Sequence, residues 1–284
     1  MAEVTSKVSL DGSTPGRIHF ADVGVIAHGA DTGEAVIYVH GWGACKELWW
    51  NTMIGLAGIA RGYSIDLPGT GDTPLAHRFE SMSQMAGWLR SICERLGVEK
   101  ATLIGHSLGG NLVAQTALDY PDLVKRLILV DAALATESLP RRVFWTQSPM
   151  YGLHAIRAAK AAAVPLATAG MRVPHEHAGG FWGPFARRAG LFISANKSDA
   201  ALQMQLKLLC GNPLTAERLT EIRAPILFVH GTLDGVIPIH TAKAYAQGVP
   251  GSKIEIFTTS HHCPMDHDPP GFIRTLRTFI EETA

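Results

Sequence analysis

Three residue types that can pass a proton to and from a hydroxyl occur along this chain in one order. A serine stands in Gly105-His106-Ser107-Leu108-Gly109, an aspartate in His230-Gly231-Thr232-Leu233-Asp234, and a histidine pair in His261-His262-Cys263-Pro264. The first is a G-x-S-x-G pattern. It follows an apolar run (101–106) and precedes a helical pattern (108–119), the context in which such a serine is presented at a sharp strand-to-helix bend. Small flanking residues leave room for a strained turn, and Gly110 extends that small-residue zone. The positive end of the following helix lies where negative charge would develop. A hydroxyl so placed suits attack on a carbonyl carbon, with an imidazole to take its proton and a carboxylate to orient that imidazole.

Two choices stay open at this level. Asp234 and Asp131 both follow apolar runs that read as strands, so either can supply the carboxylate. His261 and His262 are neighbours, and in an extended loop their side chains point apart, so only one can face the serine.

The rest of the chain must position these groups. Residues 35–40, 62–67, 101–106 and 126–131 are short runs rich in Ile, Val and Leu, as strands buried on both faces require, and 225–230 and 253–258 also read as strands. Helical patterns lie between them. Over 81–97, Met82, Met85, Leu89, Ile92 and Leu96 form one stripe, with Ser81 and Gln84 spaced to cap its start. Over 269–282, Phe272, Ile273, Leu276, Phe279 and Ile280 form another, opened by Pro269 and Pro270. Strands alternating with helices predict an α/β fold with a mainly parallel sheet. Residues 5–10 and 17–23 are expected to form an antiparallel edge hairpin. The Ala-rich stretch 133–222, with aromatics such as Phe144, Trp145, Phe181 and Trp182, breaks the rhythm and reads as a helical insertion.

Composition narrows the function. Apolar residues make up 46% of the 284 and charged residues 18%, too apolar a balance for a disordered chain. Lys+Arg and Asp+Glu both number 25, so no basic excess exists to neutralise phosphates, which argues against nucleic acid as partner. The apolar stretch 161–171 is far too short to span a bilayer, and Pro165 interrupts it. The opening MAEVTSKVSLDG lacks the basic start and apolar run of a signal peptide. Cys45, Cys93, Cys210 and Cys263 have no CxxC spacing. Reduced thiols in a cytoplasmic protein are therefore expected.

With these motifs in order, the chain resembles a capped serine hydrolase of the α/β-hydrolase family. His40-Gly41-Trp42-Gly43 is similar to the family's oxyanion loop, and Asp66-Leu67-Pro68-Gly69-Thr70-Gly71 to its D-x-P-G-x-G turn. GHSLGG at 105–110 resembles the nucleophile elbow, HGTLDGVIP at 230–238 the acid-bearing loop, and HHCPMDHDPPGF at 261–272 the histidine loop. The resemblance implies a mostly parallel central sheet flanked by helices, with 1–132 and 223–284 as core and 133–222 as helical cap. It implies a triad of Ser107, Asp234 and His262, the histidine chosen by aligning on Pro264. It implies an oxyanion hole made by the backbone N–H groups of Trp42 and Leu108. Asp131 occupies the position where some relatives carry their acid.

The implied activity is hydrolysis of a small apolar carboxylic ester through an acyl-serine, with no cofactor and no metal. Lactone or carbon–carbon bond hydrolysis would use the same groups, and a non-catalytic ligand receptor would keep the same fold. A dehalogenase would call for Asp where Ser107 stands. Weaker signals favour plain readings. Pro68-Gly69-Thr70-Gly71 lacks the G-K-[ST] ending of a phosphate loop. His175-x-His177 and the His261/His262/Asp266/His267 cluster lack metal-ligand spacing. Cys45 and Cys263 read as bystanders, the Arg141-Arg142 and Arg187-Arg188 pairs as solvated charge, and Trp42 as pocket wall or as packing beside Trp49-Trp50. Oligomeric state is not legible.

Overall fold

The computed structural model describes residues 16–135, 161 and 198–284. Most of the expected insertion lies outside these residues, with its aromatics, its arginine pairs and His175 and His177. So does the segment 5–10. The described chain forms an eight-stranded sheet in the order β1-β2-β4-β3-β5-β6-β7-β8. The strands are β1 (Gly16–His19), β2 (Gly24–His28), β3 (Ala35–Val39), β4 (Arg61–Ile65), β5 (Ala101–His106), β6 (Val124–Val130), β7 (Ile226–Gly231) and β8 (Lys253–Phe257). From β4 to β8 neighbouring strands are parallel; β1 and β2 are antiparallel to their neighbours at one edge.

The edge hairpin differs from the sequence expectation. Its strands are β1 and β2, paired from Gly16–Ala27 to His19–Gly24, so the expected 17–23 strand breaks into β1 and a turn. Gly24 reads as a strand breaker, yet β2 begins there because the strand crosses the Asp66 carboxylate. A Cβ on Gly24 would lie 2.4 Å from Asp66 Oδ2.

Helices cover both faces. Within β3, Val36 and Tyr38 point to one cluster and Ile37 and Val39 to the other, as strand alternation dictates. The Ile37 face packs under α2 (Met82–Arg95) and α3 (Leu108–Asp119). The Val36 face packs under α1 (Trp50–Leu56) and, at the chain's end, the helix Pro269–Glu282. The expected Ser81 cap of α2 is present: its side chain accepts the Gln84 N–H at 3.2 Å. Burying Leu- and Ile-sized side chains contributes ~1.5–3 kcal/mol each, so these two layers are the main stabilising element.

Within 198–222 lie α4 (Asp199–Cys210) and the short α5 (Ala216–Leu219). Leu214 N–H donates to Leu134 C=O at 2.8 Å, so the chain departs and returns at one point beside α3. After β7 come α6 (Ile239–Gly248), the single turn α7 (Pro264–His267) and α8 (Pro269–Glu282). Among the described residues no helix is long and apolar enough to cross a membrane.

The loops at the carboxyl ends of the parallel strands are fixed by a buried charge. Asp66, just past β4, takes Lys46 Nζ at 2.7 Å, the Lys46 N–H at 2.8 Å and the Asp72 N–H at 2.8 Å. Lys46 and Asp66 are both essentially inaccessible. Removing one partner of a buried pair leaves an uncompensated charge, which costs ~3–5 kcal/mol. Asp66→Ala should therefore lower the unfolding free energy by about that amount in urea titration; a loss under ~1 kcal/mol would show that Lys46 is held by other means.

Candidate active site

Ser107 occupies the step from β5 into α3 with φ +53° and ψ −116°. A side-chain-bearing residue at positive φ is strained and persists only where its surroundings hold it. Here Ser107 N–H donates to Val130 C=O at 3.0 Å, and Ser107 C=O accepts from Ala133 N–H at 3.1 Å, pinning the bend to the end of β6. Glycines make the bend sterically feasible. A Cβ on Gly105 would lie 2.3 Å from Gly109 O, and one on Gly109 would lie 2.5 Å from both Val39 O and His40 O. The Ser107 side chain makes no capping bond to α3, so its hydroxyl is not consumed by the helix.

The structure brings Asp234 and His262 together. Asp234 follows β7, and its Oδ1 accepts the N–H groups of Val236 (2.7 Å) and Ile237 (3.0 Å). Its Oδ2 accepts His262 Nδ1–H at 2.7 Å. Burial works against the charge on Asp234, but the His262 bond and charge and these two amides outweigh it, holding the carboxyl below the usual carboxylate range. With Nδ1 so engaged, Nε2 is the His262 nitrogen left for proton transfer. His262 is also placed beside the serine turn: its ring lies 4.7 Å from that of His106, centroid to centroid, and His106 Nε2–H donates to the His262 carbonyl at 2.7 Å.

The His40–Trp42 loop closes on the serine from the other side. Gly41 abuts it so closely that a Cβ there would lie 3.1 Å from Ser107 Cβ and 2.7 Å from His106 Nδ1. His40 Nε2 accepts the Leu67 N–H at 3.0 Å, which leaves Nδ1–H to donate to Gly41 O at 2.8 Å. Burial lowers the His40 pKa despite Asp66 nearby, in keeping with that neutral ring. Leu108 opens α3, fully buried, with its N–H among those a helix start leaves free of intrahelical bonds. The Trp42 indole N–H donates to Leu202 C=O of α4 at 2.9 Å.

The rival residues have other partners. Asp131, at φ +43°, takes the Gly231 N–H on Oδ1 at 3.0 Å, and His230 Nδ1 lies 3.5 Å from that oxygen. His261 Nδ1–H donates to Leu233 C=O at 3.0 Å, and its ring packs on that of His267 at 5.3 Å. The sequence reading gave no role to His40, His106 or His230. All three were visible only as letters of quoted motifs, and the bonds they make depend on the fold. Among the described residues, three groups place potential metal-ligating atoms within 4.8 Å of one another: His106/Asp131/His262, Cys45/Glu47/Asp66 and Asp131/His230/Asp234. Each contains a group already committed, namely His262 to Asp234, Asp66 to Lys46, and His230 to Ile237.

A family model described as the alpha/beta hydrolase fold matches residues 34–268. A Mycobacterium tuberculosis protein described as uncharacterized is 30% identical over 268 residues, covering 89% of this chain and 77% of that protein. A pimeloyl-[acyl-carrier protein] methyl ester esterase from Vibrio atlanticus is 27% identical over 263 residues, covering 90% of this chain and 97% of the esterase. The solved enol-lactonase from Burkholderia xenovorans superposes with a TM-score of 0.72 at 18% identity, covering 91% of this chain and 97% of the lactonase.

His230 sits between the two carboxylates, its Nε2–H donating to Ile237 C=O at 2.9 Å and lying 3.6 Å from Asp234 Oδ2. Burial lowers its pKa, against the raising influence of Ile237 and Asp234. The unfolded chain, where histidine titrates near 6.5, then binds this proton more readily than the folded one. Stability therefore falls as pH drops through that value, and stops falling on this account below the folded pKa. His230→Gln removes the component, so its urea midpoint should drop less than wild type between about pH 7.5 and about pH 5.5. An equal or steeper drop would place the proton-linked cost elsewhere.

Proposed function

The chain belongs to the alpha/beta hydrolase fold family, and from that premise we propose that it is a carboxylic-ester hydrolase that works through an acyl-serine. The observation that carries this reading is the 2.7 Å bond between Asp234 and His262, set beside the strained turn that presents Ser107. In the proposed cycle His262 Nε2 takes the Ser107 proton as the oxygen attacks the ester carbonyl. The N–H groups of Trp42 and Leu108 hold the resulting oxyanion, with the start of α3 adding positive potential. The tetrahedral intermediate collapses, and His262 gives its proton to the departing alcohol. A water deprotonated by His262 then attacks the acyl-serine, the second intermediate collapses, and the acid leaves as Ser107 regains its proton. Asp234 fixes the imidazole tautomer and offsets the cation formed on it. Side chains, backbone N–H groups and water supply every step of this cycle.

The substrate class follows less directly. The Vibrio relative, similar along nearly its whole length, is named for a methyl ester on a carried acyl chain, which supports an ester of an apolar acid. The inserted segment 133–222 would then serve as cap over the acyl chain.

The purified protein should hydrolyse short-chain p-nitrophenyl esters, with Ser107→Ala abolishing turnover. Asp234→Asn should reduce kcat about 10⁴-fold, the loss a serine protease suffers on the same change, while Asp131→Asn leaves kcat near wild type. Retained activity in Ser107→Ala would remove the nucleophile, and the reverse ranking of the aspartates would move the acid to Asp131. Turnover of lactones but not open esters would redirect the substrate assignment. Binding without turnover of either would identify a receptor.

A further inference from the structure

Trp42 is flanked by two glycines, and Gly43 sits at φ +73°. Such a peptide is soft unless something outside the loop holds it. The Ala44 N–H to Gly41 C=O contact, at 3.2 Å, closes the turn from within. One restraint from outside is the indole N–H, which reaches Leu202 C=O at 2.9 Å across the sequence. Leu202 is interior to α4, so its carbonyl uses the second lone pair for the indole.

The helix it reaches is firmly held. Ser198 caps it by accepting the Ala201 N–H at 3.3 Å. Ala201 lies so close to Gly69 that a Cβ on the glycine would come within 2.1 Å of its own Cβ. Gln205 Nε2 donates to Pro68 C=O at 3.2 Å. Just past the helix, Asn212 Nδ2 donates to Asn111 Oδ1 of α3 at 2.9 Å, and Asn111 Nδ2 donates back to Asn212 C=O at 3.0 Å. One strut thus references both sides of the serine: the Trp42 loop through Leu202, and α3, whose first residue is Leu108, through Asn212.

We infer that the Trp42 side chain is a positioning residue for the oxyanion hole, holding its own backbone N–H on target through the hydrogen bond from its indole to the Leu202 carbonyl. The inference rests on the serine-hydrolase reading above. It assigns α4 a part in the chemical step: a shift of this helix re-aims an oxyanion donor and so changes kcat rather than substrate affinity.

The test compares wild type with Trp42→Phe, which keeps a ring and removes the donor. A second variant carries 3-benzothienylalanine at position 42, where sulfur replaces the indole N–H at nearly constant shape. kcat should fall about 10–100-fold, less than the ~10²–10³ of a whole lost donor, with KM within about twofold. Affinity for an alkyl trifluoromethyl ketone, whose hemiketal oxyanion fills the hole, should weaken by the same factor. The pH midpoints of kcat/KM should hold, because Asp234 and His262 are untouched. Where Trp42→Phe fails to fold, the benzothienyl variant decides. Unchanged kcat and ketone affinity, or a loss confined to KM, would overturn the inference. Failure of wild-type Ser107 to react with a fluorophosphonate would instead remove the serine-hydrolase reading itself, so the two failures are distinguishable.

Discussion

The molecule is organised around one uncomfortable residue. Ser107 holds a backbone conformation that side-chain-bearing residues avoid, and the surroundings keep it there. Val130 and Ala133 grip its two peptide groups. Gly105, Gly109 and Gly41 give up side chains that would collide with the carbonyls of Gly109, Val39 and His40, or with the His106 ring. The doubly covered sheet supplies the rigidity that makes such crowding tolerable, since β3, β5 and β6 lie side by side in register beneath it. Strain at the turn, small residues around it and an apolar sheet below are one constraint expressed at three scales.

Around that turn, histidines act as fasteners between loops. His40 joins its own loop to Leu67, His106 joins the serine turn to the His262 backbone, His230 joins the end of β7 to Ile237, and His261 ties the histidine loop to Leu233. Each uses a ring N–H or ring lone pair against the backbone, and burial holds His40 and His230 neutral for that task. Against this background the Asp234–His262 pair is distinctive: a ring nitrogen meets a carboxylate rather than a peptide, and the ring stays partly open to solvent.

Much of the architecture was legible in the chain because its signals are local. The runs around 101–106 and 126–131 lie between helical stripes, and the 269–282 helix matches its amphipathic pattern and proline start. The serine turn was legible too, since its glycines are adjacent in sequence. What escaped depends on residues far apart. β2 opens on a glycine whose reason is the Asp66 carboxylate some way down the chain. The buried charge of Lys46 has the look of a surface residue until Asp66 and Asp72 are placed beside it. Asp131 and Asp234 could not be separated by pattern alone, for both follow strands; the contact that distinguishes them, with His262, is tertiary.

The bond between Leu134 and Leu214 has a consequence for how such a molecule can change over evolutionary time. Because the two ends of the intervening stretch are clasped together at the margin of the sheet, neither strand beneath has to move when that stretch is lengthened, shortened or exchanged. The entropic penalty for closing it grows only slowly with its length. Novelty above the clasp can therefore accumulate while the machinery below it stays fixed, except through α4, where an alteration to the outer segment is felt at once by Trp42.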